Sequence, residues 1–361
     1  MTDGFNEENS LTTIAFLGVA HIHITGFVRM LTARPGVRAG GVFDADPKRR
    51  AHWARASGGR EAMTVDDALA DADAVVITSQ TDAHRALVDV VAQAGKPLFV
   101  EKPLGMNAAD AYAMADAIEK AGVVFQTGYF HRSDPMHRRI KQIIDAGGLG
   151  RVTKAYGSNC HGGALGNWFK AKPDAPHEDW HWMTEPARSG VGAFGDLGTH
   201  ALDVLLWWLG DVTSATAQID SVTNTYGCDE SGQGLMRFKS GATATLTAGW
   251  ADRADPVRYL VSGTDGYAAV INNQLFVSRD GKFDATKPET DLPPAAPHAF
   301  ELFLDTVSGH EPAVPLVTAR EAAYRSAVMA AMYEGAKTDT WVKPANVFAL
   351  GSLSRVPTGE G

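Results

Sequence analysis

Short runs of hydrophobic residues alternate with amphipathic stretches over the first third of the chain. Each run has the length of a buried strand, and helical stretches such as residues 23–34 lie between them. The five runs occupy residues 13–19, 40–46, 72–79, 96–103 and 122–129. Continuous apolar strands separated by helices are typical of a parallel sheet covered on both faces. With right-handed crossovers, the pattern predicts a doubly wound α/β domain whose ligand crevice lies at the carboxyl ends of its strands.

Closely spaced strands replace this pattern after about residue 130. Several alternate polar and apolar residues with period two, as a half-exposed antiparallel sheet does. The strand segments begin at residues 151, 212, 234, 242, 257 and 274. Helices are predicted at about 135–146, at 198–210 and from about 298 onward. We therefore expect an α/β domain over residues 1–130 and an α+β domain with a large, open, mostly antiparallel sheet over residues 131–361.

The composition is that of an ordinary globular protein, and it disfavours several classes of partner. The 361 residues carry a net charge of −9 with a pI near 5.7, which argues against nucleic acid because phosphate backbones attract basic surfaces. The first ten residues lack the basic and apolar regions of a secretory signal. The apolar run at 204–209 is much shorter than a membrane span. Because Cys160 and Cys228 define no disulfide framework or zinc cluster, we expect a reducing, cytoplasmic setting without membrane contact.

The first strand ends in a degraded version of a dinucleotide-binding loop. In the G-x-G-x-x-G pattern, the first glycine makes the tight turn, the second lets the backbone approach pyrophosphate, and the third lets helix and strand pack closely. Gly18 occupies the first place, Ala20 the second and His23 the third. Because the loop opens a helix, we expect His21 or His23 to lie near the pyrophosphate or the nicotinamide end of a bound dinucleotide.

Asp44 supports a nucleotide site at this crevice. It ends the second strand, 26 residues after Gly18, where a carboxylate accepts hydrogen bonds from the ribose hydroxyls of NAD and repels the 2′-phosphate of NADP. Asp44 is also placed to cap the helix that follows, which is a purely structural alternative. Because Lys48, Arg49 and Arg50 follow closely, NADP is not excluded.

Two later segments contain the residues expected to perform the chemistry. Residues 100–105, VEKPLG, end the fourth strand at the crevice, and residues 195–203, GDLGTHALD, begin the helix embedded in the second domain. Together with the first loop and Asp44, they resemble the glucose–fructose oxidoreductase / inositol dehydrogenase (Gfo/Idh/MocA) family of NAD(P)-dependent oxidoreductases. The similarity runs the length of the chain: residues 76–84, VITSQTDAH, resemble the family's third-strand segment, and residues 126–135, QTGYFHRSDP, its interdomain segment.

The resemblance implies an N-terminal Rossmann-type domain that binds NAD and a C-terminal domain that binds a small carbohydrate. It also implies a homo-oligomer, a dimer or a tetramer, assembled through the open sheet. In the family an E-K-P segment supplies a catalytic lysine and a D-x-x-x-H pair supplies its partners, which here are Lys102, Asp196 and His200. The implied cofactor-binding residues are Gly18, Ala20, His21, His23, Asp44, Thr78, Ser79, His84, Glu101 and Lys102.

The three catalytic candidates suit the oxidation of a secondary alcohol, which loses a hydride from carbon and a proton from its hydroxyl. Histidine has an unperturbed pKa suited to a general base near neutrality, which fits His200. Lys102 can donate to the substrate oxygen, and Asp196, four residues before His200, either orients the imidazole or contacts a sugar hydroxyl. Pro103 fixes the turn that aims Lys102, with a cis bond as one way to do so. The structural alternatives are a helix-capping aspartate, a core histidine and a surface lysine.

Tryptophan and histidine are concentrated in residues 160–190, just before the catalytic helix. Indole rings stack on sugar faces and imidazoles bond sugar hydroxyls, so we interpret this segment as a specificity loop. Buried anchoring tryptophans or an oligomer contact are the alternative. Tyr129 and Arg132 follow the fifth strand near the domain junction and are two further candidates, although a structural role is an equal alternative for each. The predicted substrate-binding residues are Tyr129, Arg132, His161, Trp168, His181 and Trp182.

Residues 177–181, HEDWH, match the H-E-x-x-H pattern of zinc metalloproteases. That chemistry needs both histidines on one face of a helix and a third ligand downstream. Pro176 and Pro186 leave room for nine residues, about two and a half helical turns, and no glycine follows at the required spacing. We therefore predict no metal site.

The leading hypothesis is an NAD-dependent dehydrogenase that acts on a secondary alcohol of a sugar, polyol or inositol-like substrate. The first alternative is a redox-neutral glycosidase or lyase that uses bound NAD transiently through a keto-sugar. The second alternative is a non-catalytic NAD-binding sensor. Net NADH production from a free sugar distinguishes the leading hypothesis from both.

Overall fold

The N-terminal part of the protein is a six-stranded parallel sheet with order β3-β2-β1-β4-β5-β6. The computed structural model describes residues 11–279 and 281–345, so the expectation of no secretory signal, which rests on residues 1–10, lies outside the described residues. The strands are β1 (Thr12–Val19), β2 (Val37–Phe43), β3 (Arg60–Glu61), β4 (Ala74–Thr78), β5 (Leu98–Val100) and β6 (Phe125–Thr127). The helices are α1 (Ile24–Thr32), α2 (Pro47–Ser57), α3 (Val65–Leu69), α4 (Thr81–Gln93) and α5 (Ala108–Ala121).

This sheet confirms the doubly wound prediction. Alternate residues of β1 belong to two separate hydrophobic clusters, Ile14 and Phe16 to one and Ala15 and Leu17 to the other. Both faces of the sheet are therefore covered. All five predicted strands are present, and the additional edge strand β3 is missed by the sequence pattern because its two residues are exposed.

The second part is built on a seven-stranded sheet with order β13-β12-β11-β7-β10-β9-β8. Its strands are β7 (Val152–Cys160), β8 (Val212–Asp220), β9 (Ser231–Phe238), β10 (Thr243–Gly249), β11 (Val257–Gly263), β12 (Tyr267–Ile271) and β13 (Gln274–Ser278). The pair β7–β10 is parallel and the other pairs are antiparallel, which confirms a mostly antiparallel sheet. The remaining helices are α6 (Pro135–Asp145), α7 (Pro186–Ser189), α8 (Ala193–Leu209), α9 (Ala299–Val307) and α10 (Ala319–Thr338).

Helix α8 crosses the inner face of this sheet and is buried over almost all its length. It begins at Ala193, five residues before the position that the sequence pattern indicates, since glycines at 195 and 198 disfavour a helix by propensity. A Cβ on Gly198 would lie 3.3 Å from the Cβ of Ala248 and 3.3 Å from Cε of Met329. The absent side chain therefore lets α8 lie close to both β10 and α10.

The two C-terminal helices pack back onto the first sheet. Phe300 and Phe303 of α9 belong to one of its clusters, and Ala323 and Ala327 of α10 belong to the other. Further along α10, Met332 belongs to the core of the second sheet. A division of the chain at residue 130 stays a prediction, and the C-terminal helices contribute to the cores on both sides of it. Within the described ranges, no helix combines the length and apolar character that crossing a membrane requires.

Candidate active site

The loop after β1 is held tightly against the end of β4. Gly18 has φ of +68°, and a Cβ there would lie 2.3 Å from the Cβ of Ser79, so both conformation and space require glycine. The hydroxyl of Thr78 donates to the carbonyl of Gly18 at 2.6 Å. The amides of Ala20 and His21 both donate to the carbonyl of Thr78 at 3.0 Å. The loop therefore has a fixed shape at the carboxyl end of the sheet.

Asp44 lies at the same edge and closes the loop from the other side. One carboxylate oxygen accepts the amide of Val19 at 2.8 Å. The other accepts the amide of Asp46 at 2.8 Å and a guanidinium N–H of Arg49 at 3.1 Å. The cap of α2 is Asp46, whose side chain accepts two amides of the first turn, so Asp44 does not have the capping role. Asp44 instead lines the crevice while its carboxylate accepts these three hydrogen bonds.

A cavity of about 490 Å³ lies between the loop and the edge of the sheet. Its walls include Gly18, Asp44 and Ser79 from the first sheet's loops, together with His181 and Trp182 from the second part of the chain. A glycine turn, a carboxylate at the end of β2 and a crevice at the strand ends fit a dinucleotide. The fit therefore depends on residues from both parts of the chain.

Residues 176–188, which we call the cover segment, lie over this crevice. The indole N–H of Trp182 donates to the carbonyl of Ala20 at 3.1 Å, and Nε of Arg49 donates to the carbonyl of Pro176 at 3.2 Å. The ring of His177 stacks on that of His52 at 3.8 Å between centroids. These contacts join the second part of the chain to the nucleotide crevice. Trp182 and His181 thus line the nucleotide crevice, and their assignment as substrate residues stays a prediction.

Lys102 follows β5 and is buried beside α8. Its Nζ lies 2.7 Å from a carboxylate oxygen of Asp196, whose other oxygen accepts the indole N–H of Trp250 at 3.2 Å. Burial raises the pKa of Asp196, but the charge and hydrogen bond of the Lys102 ammonium, together with His21 and His23, lower it by more, so the pKa is below its usual value. The bond between Lys102 and Pro103 is cis. The structure therefore brings Lys102 and Asp196 together as a buried ion pair.

His200 lies one helical turn after Asp196 and points into the same region. Its ring stacks on His131 at 5.2 Å between centroids and lies 5.0 Å from Phe130. Burial, together with the charge of Lys102, lowers the pKa of His200 well below its usual value, which keeps the imidazole neutral. Among the described residues its Nδ1 has no hydrogen-bond partner. Asp196 therefore does not orient this imidazole and is paired with Lys102 instead.

His23 and Glu101 form a second pair beside the first. Nδ1 of His23 lies 3.0 Å from a carboxylate oxygen of Glu101, and the other oxygen accepts the amide of Lys102 at 2.8 Å. The ring of His23 lies 6.3 Å from that of His200 between centroids. Sequence analysis selected both residues as cofactor contacts but contained no signal that they would pair, since 78 positions separate them.

Tyr129 and Arg132 both contact α8. The hydroxyl of Tyr129 lies 2.9 Å from that of Thr199. Nη2 of Arg132 donates to Asp203 at 2.6 Å and to Glu321 at 3.1 Å. These bonds hold α8 in place, and the assignment of Tyr129 and Arg132 as substrate residues stays a prediction.

The remaining candidates are divided between the site and the scaffold. The ring of His161 is tilted by 31° against that of the exposed Trp168, at 4.7 Å between centroids. Burial lowers the pKa of His161 below its usual value, and the charge of Asp196 opposes this only in part. The imidazole therefore lies within electrostatic range of Asp196. His84 is buried, and its Nδ1 lies 3.1 Å from the carbonyl of Leu104, which supports the turn after Lys102.

The H-E-x-x-H match does not fold as one helix. Its first histidine is in a 3-10 turn over Pro176–Glu178, and its second is in another over His181–Thr184. A protease-like arrangement of zinc ligands on one helical face is therefore absent from this described segment. The described residues contain one group of three metal-ligating side chains whose donor atoms lie within 4.8 Å, namely His21, His23 and Glu101.

Two family models match the chain and together account for both parts of this geometry. Residues 12–129 match the "Oxidoreductase family, NAD-binding Rossmann fold" and residues 137–269 match the "GFO/IDH/MocA C-terminal domain". The chain belongs to the Gfo/Idh/MocA family. The two models cover both the sheet that carries Lys102 and the helix that carries Asp196 and His200.

Relatives of known activity lie within this family. The scyllo-inositol 2-dehydrogenase (NAD(+)) of Bacillus subtilis is 29% identical over 266 residues, 70% of this chain and 71% of that protein. The inositol 2-dehydrogenase of Rhizobium meliloti is 28% identical over 248 residues, 61% of this chain and 70% of that protein. A levoglucosan dehydrogenase, solved with NADH and L-sorbose, superposes with a TM-score of 0.75 at 18% identity over 93% of this chain and 99% of that one. The structural likeness establishes the shared fold.

Proposed function

We propose that this protein is an NAD-dependent dehydrogenase that oxidises a secondary alcohol of a sugar, polyol or inositol-like substrate. The observation that carries the proposal is the meeting of Lys102, Asp196 and His200 beside a dinucleotide crevice. The inositol dehydrogenases among the relatives support the substrate class.

The first sheet would hold the dinucleotide. The turn at Gly18 would lie beside the pyrophosphate, and the carboxylate of Asp44, which lines the same crevice, would accept hydrogen bonds from the adenosine ribose. Arg49 lies against this carboxylate at 3.1 Å and partly neutralises it, so the preference for NAD over NADP is weaker than that of an isolated aspartate. When bound, NAD supplies the acceptor for the hydride that leaves the substrate carbon.

The proton of the substrate hydroxyl would be taken by His200. Burial keeps this imidazole neutral, so a lone pair is available over the whole neutral range. The ammonium of Lys102 stabilises negative charge as it develops on the substrate oxygen, and Asp196 fixes the ammonium at 2.7 Å. His161 and Trp168, whose rings lie 4.7 Å apart between centroids, would contact the sugar ring and its hydroxyls.

Substitution of the two proton-handling residues tests this proposal. We expect Lys102→Ala and His200→Ala each to lower kcat for sugar oxidation at least about 100-fold, the scale of a general acid–base group. NADH absorbance would be followed with NAD and NADP across sugars, sugar acids, inositols and glycosides. Lys239→Ala and His310→Ala are matched controls on the exposed surface and should keep normal rates.

Near-normal turnover in either catalytic variant would contradict the assignment. Net NADH formation from a free sugar favours the dehydrogenase. Cleavage of an aryl glycoside without net NADH would favour a redox-neutral glycosidase, and nucleotide binding without turnover on the whole panel would favour a sensor.

We also propose that the protein assembles as a dimer or tetramer through the outer face of the second sheet. Residues of β9 alternate between burial and exposure, and Gln233, Leu235 and Arg237 lie on the outer side. Trp341 is exposed there and lies under the guanidinium of Arg237, at 4.1 Å. Size-exclusion chromatography with light scattering tests the assembly, and Leu235→Glu should shift it towards the monomer.

A reducing, cytoplasmic setting is proposed on the chemistry of the thiols. Cys160 and Cys228 are both free. Burial raises the pKa of each thiol to about 12, which keeps both protonated and poorly reactive.

A further inference from the structure

The carboxylate of Asp196 is held at both of its oxygen atoms. One oxygen accepts from Nζ of Lys102 at 2.7 Å, and the other accepts from the indole N–H of Trp250 at 3.2 Å. The terminal torsion of an aspartate side chain has only broad preferences, so the side chain does not fix the plane of its own carboxylate. Two donors on different oxygens do fix it. The direction in which Asp196 holds the ammonium of Lys102 therefore depends on Trp250 as well.

Trp250 itself is enclosed by the protein. It follows β10 directly and is 0% exposed. Its amide donates to the carbonyl of Glu230 at 2.8 Å, and its carbonyl accepts the amide of Ala164 at 2.8 Å. Because no part of the residue is exposed, an effect of Trp250 on the reaction would pass through a neighbouring residue.

Two aromatic rings hold the indole of Trp250 in place. The ring of Phe169 lies 4.3 Å from it between centroids, at an interplanar angle of 33°, and the ring of Tyr226 lies edge-on at 6.1 Å and 89°. The amide of Phe169 donates to the hydroxyl of Tyr226 at 3.0 Å, and that hydroxyl donates to the side-chain oxygen of Asn167 at 3.1 Å. Such aromatic pairs add stability beyond the burial of their area. The predicted specificity segment, residues 160–190, thus packs directly against this indole.

A buried carboxylate fixes the loop that carries Tyr226. Glu230 is fully buried and accepts the amides of Thr225 at 2.6 Å and Tyr226 at 3.3 Å, together with the hydroxyl of Thr223 at 2.8 Å. Burial raises the pKa of Glu230, but the hydrogen bonds from this loop lower it by more, so the pKa is below its usual value. The carboxylate is therefore ionised at neutral pH, which strengthens these bonds. Since the carbonyl of Glu230 also accepts the amide of Trp250, one residue fixes both Tyr226 and Trp250.

A competing partner for Asp196 lies on the same helix. His200 is four residues further along α8, where side chains share a face. Its buried Nδ1 has no hydrogen-bond partner among the described residues. A carboxylate that turned towards this imidazole would leave Lys102. The indole N–H occupies the second oxygen and so keeps Asp196 paired with Lys102.

We propose that Trp250 is a positioning residue, whose indole N–H holds Asp196 towards Lys102 and so aims the ammonium at the oxygen of the substrate alcohol. This inference rests on the proposed dehydrogenase function and adds to it a residue outside the two catalytic segments. Because Phe169 packs on the same indole, the predicted specificity segment and the ion pair are fixed as one unit. A purely structural role would need the ring of Trp250 but not its N–H.

Trp250→Phe separates the two roles, because it keeps an aromatic ring and removes the N–H. We expect kcat on the sugar panel to fall at least about 10-fold, the scale of one hydrogen bond to a charged group. KM should be unchanged, because Trp250 is not exposed. Trp208→Phe is the matched control, since that indole is also buried and donates at 3.2 Å, but to the backbone carbonyl of His137. Its kcat should equal that of the wild type, with a comparable fall in melting temperature for both variants.

The Asp196→Ala background shows whether Trp250 acts through Asp196. Without the carboxylate the indole has lost its acceptor, so Trp250→Phe should lower kcat in the wild type but not in this background. A loss of kcat that merely reflects altered packing would occur in both.

An NMR titration of the Asp196 carboxyl carbon measures the same bond without turnover. The signal would be assigned by its absence from the spectrum of Asp196→Asn. A carboxylate that loses a hydrogen-bond donor has a higher pKa. The pKa of Asp196 should therefore rise in Trp250→Phe and stay the same in Trp208→Phe.

Three results would overturn the positioning role. They are a kcat of Trp250→Phe equal to that of Trp208→Phe, an equal loss of kcat in the wild-type and Asp196→Ala backgrounds, and a pKa of Asp196 that Trp250→Phe leaves unchanged. A wild-type protein that oxidises nothing on the sugar panel would instead contradict the proposed function, and the titration would still show whether Trp250 bonds Asp196.

Discussion

Gly18 is the residue on which the shape of the nucleotide loop depends. Its positive φ excludes most side chains, and the 2.3 Å approach that a Cβ would make to Ser79 excludes the rest. Gly36 has a similar φ of +82°, but a Cβ added there would have no atom within 4 Å. A side chain at Gly36 would therefore introduce backbone strain alone, whereas a side chain at Gly18 would introduce both strain and steric overlap.

We expect Gly36→Ala to lower the free energy of unfolding by about 1 kcal/mol, the cost of a left-handed residue. Gly18→Ala should cost roughly 2 kcal/mol more, because overlap is added to strain, and it should also weaken NAD binding. Chemical denaturation and a thermal-shift titration with NAD measure the two effects. Equal costs for the two variants would show that the loop can move away from Ser79.

The residues proposed to be catalytic could be chosen from sequence, but not their pairing. Lys102, Asp196 and His200 are recognisable because each lies in a characteristic short segment. Whether Asp196 engages Lys102 or His200 depends on the position of α8 relative to β5, and residues 94 positions apart decide it. The pairing of His23 with Glu101 is long-range in the same way.

The cover segment likewise makes a long-range contact that its local sequence does not predict. The tryptophan and histidine content of residues 160–190, which include the cover segment, predicts a ligand-binding loop, and the cover segment does lie over the crevice. The donor–acceptor pair that docks it, Trp182 to Ala20, spans 162 positions. Composition therefore indicates that residues 160–190 contact a ligand, while only the packing of the two sheets places Trp182 on the nucleotide side and His161 nearer Asp196.

Docking of the cover segment should help to retain the dinucleotide. Trp182→Phe keeps the ring but removes the N–H that donates to the carbonyl of Ala20. Since such a bond contributes about 1 kcal/mol, we expect the Kd for NADH, measured by fluorescence titration, to rise about 5-fold. Trp168→Phe is the matched control, because that ring is exposed and is not among the described residues that line the crevice, and its Kd should be unchanged. Equal affinities in both variants would mean that the cover segment does not contribute to binding.

The molecule as a whole contains a group of imidazoles that burial keeps neutral. Burial lowers the pKa of His131 to about 3, and that of His21 to the same value, whereas histidine in the unfolded chain titrates near 6.5. Below pH 6.5 the unfolded chain therefore binds protons that the folded protein does not. Stability is complete above this pH and is lost as the pH falls towards 3.

Denaturation by urea between pH 7 and pH 5 measures this loss before the carboxylates titrate. Each buried imidazole should contribute a slope of up to about 1.4 kcal/mol per pH unit below pH 6.5. We expect His131→Asn to reduce the slope by about that amount, whatever its effect on stability at pH 7. His310→Asn, at an exposed position, should leave the slope unchanged. A slope that is the same in the wild type and in His131→Asn would show that His131 titrates normally.

The outline of the whole molecule could largely be predicted, since strand runs and helix periods are local features. The strands β3 and β12 and the early start of α8 could not, because they depend on edge pairing and on glycines that pack against other elements. No local feature of the sequence shows which sheet α9 and α10 pack against. Their apolar faces show that they are buried but not which sheet they cover.

Helix α10 supplies Ala323 and Ala327 to the core beneath the first sheet, and α9 supplies Phe300 to the opposite core. During synthesis the last strand of that sheet, which ends at Thr127, emerges from the ribosome well before α9, which begins at Ala299. The nucleotide-binding part of the protein is thus synthesised first, but its hydrophobic cores are completed only when the C-terminal helices are added. Until residues 299–338 have been translated, both of its hydrophobic faces lack a portion of their covering, so the first half of the nascent chain has a particular need for protection from aggregation.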